Sequence, residues 1–307
     1  MSPIGSNISF YVSPPAPFSG FSRPFAESRY VVVGVPYDMT SSYRSGSRFG
    51  PAALREASLN VETYSLRSNI DLEDIPIADL GDIHVVANPS DMVERVKAVV
   101  KDIVESRKVP VLVGGEHLIT LGAVQAFPSG IGLIDFDAHL DLRESYMGEH
   151  YSHATFMRKV VGMLPPENIV FVGTRAVSKE EINFSRGNGI TIIDASELRE
   201  LGSEQCVKRI LMKLAGLRSI YVTVDMDVFD PAYAPAVGNP ETGGLSPDMV
   251  LTLLNRICDN RTVGFDLVEI SPHYDTGITA ALGARIIFET ICTIEKSESK
   301  VAIAKDR

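Results

Sequence analysis

The chain has 307 residues, of which 45% are hydrophobic, and it carries a formal net charge of −10. This length is sufficient for a large buried core, in one large α/β domain or in two smaller domains. The negative charge argues against a nucleic-acid partner and is compatible with a cationic small-molecule ligand.

The chain divides into an N-terminal arm and one long patterned region. Residues 1–29 are rich in Ser, Pro, Gly and Phe without a helical period, which predicts an irregular arm packed on the body or on a neighbouring subunit. Residues 30–307 are predicted to form a single α/β domain. Its apolar runs span 30–35, 75–80, 109–113, 131–136, 169–172, 190–193, 219–224 and 262–270. The amphipathic stretches between them include 90–107, 203–215 and 246–259.

The apolar runs predict parallel strands. Most of them are nearly continuous rather than alternating, as expected for strands that are covered on both faces. Their alternation with amphipathic stretches predicts one doubly wound sheet of about eight strands, and no repeat or linker divides it. Ligands of such sheets bind at the carboxyl ends of the strands, where this sequence carries several polar clusters.

The cysteines and the hydropathy pattern bear on the location of the protein. Cys206, Cys258 and Cys292 are far apart and form no CxxC pair, which predicts reduced, buried thiols in a cytoplasmic protein. No apolar run reaches the ~18 residues of a membrane span, and the N-terminus lacks a basic segment followed by an apolar one. We therefore expect no membrane partner.

Residues 133–144, LIDFDAHLDLRE, begin as a buried strand and end as a row of charges. Asp137, His139 and Asp141 occupy every second position, so an extended backbone points all three to one side. Unpaired buried carboxylates are costly, and this cluster therefore needs a counter-charge.

Two further strand ends complete the cluster. Asp225 and Asp227 repeat the alternate spacing in VDMDVFDP, and His117 follows two glycines in VGGEHLIT. Four carboxylates and two imidazoles match two divalent cations, with Mn²⁺ favoured over Zn²⁺, Co²⁺ or Fe²⁺. Two ions about 3.5–4 Å apart can share a water and lower its pKa, which produces a hydroxide nucleophile. Any single Asp here could instead cap a helix or form a turn, but the combined motifs favour the metal site.

Four motifs together resemble those of the ureohydrolases, the arginase and agmatinase family, and most closely those of the agmatinases. They are GGEH, DAHLD, DMDVFDPAYAPAVGNPETGGLS and DLVEISP, and the resemblance extends over about residues 30–289. It implies a three-layer α/β/α sandwich around an eight-stranded, mostly parallel sheet. It also implies two Mn²⁺ ions per chain bridged by a hydroxide, and a homo-oligomer, either a trimer or a hexamer.

The same resemblance implies a role for each site residue. The ligands implied for one ion are His117, Asp137, Asp141 and Asp225. The ligands implied for the other ion are Asp137, His139, Asp225 and Asp227. Asp141 would also hold the bridging hydroxide by a hydrogen bond. His153, in YSHATF, would be the proton shuttle, and Glu269, in DLVEISP, would hold the substrate guanidinium.

The chemistry of guanidinium hydrolysis agrees with these roles. The guanidinium carbon is a poor electrophile, so attack requires a strong nucleophile and a substrate held still, which Glu269 can do through charge-assisted hydrogen bonds. The leaving amine must gain a proton, and a histidine suits that task. His153 is the predicted donor, with His150 as the alternative, and the products would be urea and an amine.

One box departs from the family pattern. The family usually has Gly-Gly-Asp-His-Ser, whereas this chain has Glu116 and Leu118 on either side of His117. Glu116 can accept a hydrogen bond that orients nearby groups, but Leu118 cannot replace a hydroxyl. The ligand is kept, and the groups that surround it are altered.

The preferred substrate is predicted to be agmatine, which would give putrescine and urea. The segment LRESYMGEHYSH, residues 142–153, resembles the agmatinase pattern, and Glu144 and Glu149 are compatible with a dication. Arg143 would favour a carboxylate tail if it turned into the pocket, but pairing with Glu144 or a neighbouring carboxylate is favoured. The alternatives are guanidinobutyrate, guanidinopropionate or arginine as the substrate, or a non-catalytic homologue.

Overall fold

The structure of the protein, a computed structural model, describes residues 6–13, 17–128 and 130–305. Its strands are β1 Val12–Ser13, β2 Tyr30–Gly34, β3 Tyr64–Ser65, β4 Ile70–Asp71, β5 Ile77–Ile83, β6 Val109–Val113, β7 Gly132–Phe136, β8 Ile169–Thr174, β9 Thr191–Asp194, β10 Ile220–Asp225 and β11 Thr262–Val268. Its α-helices are α1 Ser6–Tyr11, α2 Gly50–Ser58, α3 Pro89–Glu105, α4 Ile119–Gln125, α5 Phe156–Val161, α6 Lys179–Asn188, α7 Ala195–Lys213, α8 Pro247–Ile257 and α9 Ile278–Lys305.

Nine of the strands form the central sheet, in the order β1-β5-β2-β6-β11-β10-β7-β8-β9. Strands β5, β2, β6, β11, β10, β7, β8 and β9 run parallel to one another, and β1 is antiparallel to β5. The predicted sheet of eight parallel strands is therefore confirmed. Strands β3 and β4 form a separate two-stranded sheet.

Helices cover both faces of the sheet. Alternate residues of one strand point to opposite faces, so Val31 and Val33 pack towards α3 and α4, whereas Val32 packs towards α2, α8 and α9. All three valines are essentially inaccessible to solvent. Continuous burial on both faces explains the near-continuous apolar runs of the sequence, and it confirms the three-layer α/β/α sandwich.

One predicted helix is longer than the sequence indicated. The amphipathic stretch 203–215 covers only the second part of α7, which begins at Ala195 after the N-cap Asp194. Gly202 lies inside the helix with φ 77°, outside the helical region, and it bends the chain between two helical pieces. The sequence pattern therefore detected the piece that follows the bend.

The arm was predicted to be irregular, and this is wrong for residues 6–13. Helix α1 lies there, and its Asn7 donates from the backbone N and from Nδ2 to Asp102 on α3, at 2.9 and 3.1 Å. Val12 and Ser13 then pair with Ile83 and Asp82 of β5. Contacts with the body order this segment, which its composition alone could not indicate. A domain boundary at residue 30 stays a prediction.

Two features bear on the predictions from cysteines and hydropathy. Cys206, Cys258 and Cys292 are free and buried, as expected. Within the described residues, no helix combines the length and apolar character that crossing a membrane requires.

Candidate metal centre

The polar clusters of the sequence meet at the carboxyl ends of four neighbouring strands, β6, β11, β10 and β7. The predicted site residues at these strand ends are His117, Asp137, His139, Asp141, Asp225, Asp227 and Glu269. A cavity of about 460 Å³ opens over them. Parallel strands place their carboxyl ends at one edge of the sheet, which explains why residues more than 100 positions apart converge.

The turn that delivers His117 depends on glycine. Gly115 has φ +80°, a left-handed conformation that L side chains rarely adopt, and a Cβ atom there would collide with the carbonyl oxygen of Val35. Only glycine lets the chain leave β6 so close to β2. The loop then places the imidazole of His117, which is almost fully buried, among the predicted carboxylates.

The first group of predicted ligands surrounds Nδ1 of His117. This atom lies 3.2 Å from a carboxylate oxygen of Asp137, 3.4 Å from one of Asp141 and 3.3 Å from one of Asp225. Within the described residues, neither Nδ1 of His117 nor Oδ2 of Asp137 has a hydrogen-bond partner. Converging buried donor atoms without partners fit a bound cation.

A buried relay of hydroxyl groups orients His117. Its Nε2 lies 2.9 Å from Oγ1 of Thr223, and that hydroxyl donates to Asp266 at 2.5 Å. Thr120 and Tyr221 also donate to Asp266, at 2.9 and 2.8 Å. Because the proton of Thr223 points to Asp266, its oxygen accepts from Nε2–H of His117. Nδ1 is therefore left with a lone pair that faces the carboxylates.

The second group of predicted ligands shares Asp137 with the first. Nδ1 of His139 lies 3.4 Å from Oδ1 of Asp137 and 3.0 Å from Oδ2 of Asp227. Potential ligand atoms lie within 4.8 Å of one another in two sets of three residues, which are His117, Asp137 and Asp225, and Asp137, His139 and Asp227. Asp137 thus occupies the position between the two groups. The predicted contribution of Asp225 to the second ion stays a prediction.

The electrostatics of the cluster favour added positive charge. Burial raises the pKa of Asp225 well above its usual value, and the nearby carboxylates of Asp227 and Asp137 raise it further. Burial, with the charge of Asp137, raises the pKa of Asp141 to about 7. These carboxylates cannot all be ionised cheaply in isolation. An oxygen-rich set with two imidazoles fits two divalent cations.

Two predicted site residues have a left-handed backbone. The φ angles of Asp141 and Glu269 are 51° and 66°, in a region that non-glycine residues enter rarely. Oε1 of Glu269 accepts a hydrogen bond from the backbone N–H of His117 at 2.8 Å. Burial raises the pKa of Glu269 to about 8, and the charge of Glu116 adds to the rise. Both strained residues line the cavity.

His153 also lines the cavity and is tied to Glu116 through Thr40. Glu116 accepts hydrogen bonds from the backbone N and from Oγ1 of Thr40, at 2.8 and 2.6 Å. Oγ1 of Thr40 lies 3.2 Å from Nδ1 of His153, and Nε2 of His153 lies 3.3 Å from Oγ of Ser42. Burial raises the pKa of Glu116 to about 7 and lowers the pKa of His153 to about 4. Glu116 thus accepts hydrogen bonds, as the sequence indicated.

Of the remaining candidate residues, some line the cavity and others do not. Arg143 lines the cavity, with Nη2 3.7 Å from Oε2 of Glu181, so its neighbouring carboxylate is Glu181 rather than Glu144. Glu144 and Glu149 do not line this cavity. His150 is exposed, with Nδ1 3.1 Å from the carbonyl oxygen of Glu144, and it also lies outside the cavity wall.

Comparison with known proteins decides the family. The family described as "Arginase family" matches residues 28–292. An agmatinase of Bacillus cereus is 40% identical over 257 residues, which is 82% of this chain and 86% of that protein. The chain belongs to the arginase family. Because members of this family are amidinohydrolases that depend on a binuclear metal centre, this chain is a metal-dependent amidinohydrolase.

Other members of the arginase family differ in the substrates that their names give. The crystal structure of the agmatine ureohydrolase of Thermoplasma volcanium superposes with a TM-score of 0.86 at 39% identity, over 91% of this chain and 94% of that one. A guanidinobutyrase of Pseudomonas aeruginosa is 33% identical, over 85% of each chain.

Sequence reasoning missed several residues of the site. Two of them could have been found from the sequence. Asp266 is a charged residue within an apolar strand, and Thr223 lies two positions before Asp225 and therefore on the same side of its strand. Arg175 had no such signal: its guanidinium donates to the carbonyl oxygens of Asp227 and Glu241, at 2.6 and 2.7 Å, and ties two loops of the site together.

Proposed function

We propose that this arginase-family protein hydrolyses agmatine to putrescine and urea with two Mn²⁺ ions per chain. The observation that carries the proposal is a pair of facing ligand groups that share Asp137 beneath a cavity lined by Glu269 and His153. The residues that would hold one ion are His117, Asp137, Asp141 and Asp225. Those that would hold the other are Asp137, His139, Asp225 and Asp227. When bound, two such cations supply a nucleophile by lowering the pKa of a water between them.

Three side chains would do the remaining work. Glu269 would hold the flat guanidinium through charge-assisted hydrogen bonds, and its own carboxylate is fixed by the backbone N–H of His117. Asp141, on the cavity wall, would orient the attacking water. His153 would deliver a proton to the leaving nitrogen from Nε2, the ring atom near Ser42 in the same wall.

The charges in the outer cavity support a cationic substrate tail. Beyond the predicted ligands and Glu269, the described wall carries the carboxylates of Glu181 and Glu241 and the guanidinium of Arg143. Glu181 also accepts hydrogen bonds from Ser178 and from the backbone N of Leu142, which keeps its carboxylate in place. The two carboxylates outnumber the one guanidinium, so this part of the wall has a net negative charge. Such a wall favours binding of the positively charged distal amine of agmatine.

Arg143 also favours a second candidate, a hydrolase of guanidino acids. The 3.7 Å separation from Glu181 is too long for a hydrogen bond, and 37% of the side chain is exposed. Such a guanidinium could bind the carboxylate of guanidinobutyrate. The similarity to a guanidinobutyrase is compatible with this alternative.

One experiment separates the candidates. We would measure kcat/KM for agmatine, guanidinobutyrate, guanidinopropionate and arginine, and the Mn²⁺ content, on one preparation. We expect agmatine to be the best substrate and two metal ions to be bound per chain. Guanidinobutyrate as the best substrate would favour the second candidate, and no urea from any compound would indicate a non-catalytic homologue. Zn²⁺, Co²⁺ and Fe²⁺ should be compared with Mn²⁺ after chelation.

The oligomeric state would be tested on the same preparation. We expect a trimer or a hexamer, which sedimentation equilibrium distinguishes from a monomer of 33.4 kDa.

A further inference from the structure

A short chain of hydrogen bonds joins a fully buried carboxylate to the histidine on the cavity wall. Glu116 has both carboxylate oxygens on Thr40, one on the backbone N–H and one on the hydroxyl. The hydroxyl oxygen of Thr40 in turn lies 3.1 Å from the backbone N of His153 and 3.2 Å from its Nδ1. This arrangement lies beside the predicted ligands and holds none of them.

Counting donors and acceptors fixes the direction of each bond. The Thr40 hydroxyl donates to Oε1 of Glu116 at 2.6 Å, so its proton points to that side chain. The backbone N–H of His153 only donates, and it occupies one lone pair of the Thr40 oxygen. The second lone pair faces Nδ1 of His153, which must therefore carry the ring proton. Nε2 is then unprotonated, and the hydroxyl of Ser42, 3.3 Å away, can donate to it.

We propose that Glu116 and Thr40 are positioning residues that fix His153 in the tautomer with its proton on Nδ1. Nε2 is thereby presented to the cavity as the atom that takes up and delivers a proton. This inference rests on the proposed function, in which His153 protonates the leaving nitrogen. It also gives a role to Glu116, where the chain departs from the usual family box.

The tautomer suits repeated proton transfer. When His153 takes up a proton from water at Nε2, the imidazolium continues to donate from Nδ1 to Thr40. When the Nε2–H bond breaks, the proton passes to the leaving nitrogen and the electron pair stays on Nε2. The ring returns to the same neutral tautomer, so neither hydrogen bond of Thr40, to Glu116 or to His153, has to reverse during turnover.

Glu116→Gln should reverse the direction of the hydrogen bonds from residue 116 through Thr40 to His153, with a side chain of nearly the same shape. An amide has one oxygen, and the backbone N–H of Thr40 can only donate, so the amide oxygen faces that group. The amide NH₂ then donates to the Thr40 hydroxyl, whose proton turns to Nδ1 of His153. Nδ1 becomes an acceptor, and the ring proton moves to Nε2. A wrong tautomer in a proton-transfer residue can lower kcat by several orders of magnitude.

The experiment compares four variants with the wild-type holoenzyme at matched metal content. They are Glu116→Gln, Thr40→Val, Thr40→Ser as the conservative variant, and Thr290→Val as a matched control. Thr290 is buried, and its hydroxyl donates to the carbonyl oxygen of Ile286 inside α9, away from the site. The first readout is kcat and KM for urea release.

The second readout does not require turnover. Diethyl pyrocarbonate acylates an unprotonated imidazole nitrogen, and the tryptic peptide of residues 144–158 contains both His153 and His150. Fragmentation of this peptide gives a modification rate for each histidine. Exposed His150 is the internal control, because its Nδ1 lies 3.1 Å from the carbonyl oxygen of Glu144 rather than at Thr40.

We expect Glu116→Gln to slow modification of His153 about tenfold or more, the scale of one reversed charge-assisted hydrogen bond, with His150 unchanged. We expect kcat to fall about 100-fold in Glu116→Gln and Thr40→Val, with KM changed much less. Thr40→Ser should restore most of the rate that Thr40→Val loses, and Thr290→Val should match the wild type.

Two results would overturn the proposal. One is modification of His153 in Glu116→Gln at the wild-type rate. The other is a loss of kcat in Thr290→Val as large as in Thr40→Val, which would indicate a general effect of replacing a threonine hydroxyl. If the wild type releases no urea, the proposed function fails, and the modification rates alone then decide whether Glu116 sets the tautomer.

Discussion

Thr223→Val removes the hydroxyl that links His117 to Asp266 and adds no charge. The Nε2–H of His117 loses its acceptor and Asp266 loses one of three hydroxyl donors, all in a region without access to solvent. A buried group left without a partner costs about 1–3 kcal/mol. If that cost falls on the metal-bound form, affinity for Mn²⁺ should fall about 10–100-fold, the usual range for groups that orient metal-binding histidines.

The assay is competition between the protein and a chelator for Mn²⁺ in the absence of substrate, together with Tm at fixed metal concentration. Thr223→Ser keeps the hydroxyl and should bind Mn²⁺ nearly as the wild type does. Thr290→Val is again the matched loss of a buried hydroxyl, with no contact to His117. If Thr223→Val binds Mn²⁺ as tightly as Thr290→Val, the hydroxyl relay does not orient His117 and the reasoning is refuted.

Further predictions address the metal, the core and the thiols. Asp137→Ala removes the carboxylate common to both groups, so bound metal and urea release should fall below detection, and sustained urea release would contradict its predicted role as a ligand in both groups. Arg55→Met leaves the buried carboxylate of Asp79 without its cation, so urea denaturation should give a free energy of unfolding lower by about 3–5 kcal/mol. A loss below about 1 kcal/mol would show that the pair is dispensable. Burial raises the pKa of Cys258 and Cys292 to about 12, so iodoacetamide at neutral pH should label them only after denaturation, and rapid labelling of native protein would be inconsistent with their burial.

The sheet could be predicted because its residues carry a strong local signal. Strands that are buried on both faces require continuous apolar runs, and the run at 109–113 coincides with β6. The pairing of Val12 with Ile83 could not be predicted, because the short strand β1 is held by its contacts with the body rather than by its composition. The first piece of α7 was missed because Gly202 interrupts its pattern.

The predicted ligands were accessible to sequence reasoning for a different reason. Asp137 and His139 could be found by their alternate spacing, and the common edge of a parallel sheet brings them to the other strand ends. The extended backbone predicted for residues 137–141 is wrong, because β7 ends at Phe136, the chain bends at His139, and Asp141 has φ 51°. Thr40 and Ser42 carry no such regularity, because they reach His153 from a loop that follows β2. Contacts made by loops depend on the three-dimensional path of the chain and leave little trace in sequence periodicity.

The two-residue strand β1 has a practical consequence for handling the protein. It shields the outer backbone at the end of β5, where Asp82 and Ile83 would otherwise offer free N–H and C=O groups at the margin of the sheet. A chain shortened to begin at residue 30 would expose these groups, together with the face of α3 on which α1 rests. Such a chain would keep the residues around Asp137 and yet self-associate through its uncovered edge. Loss of the arm would therefore lower the solubility of the protein rather than its catalytic rate.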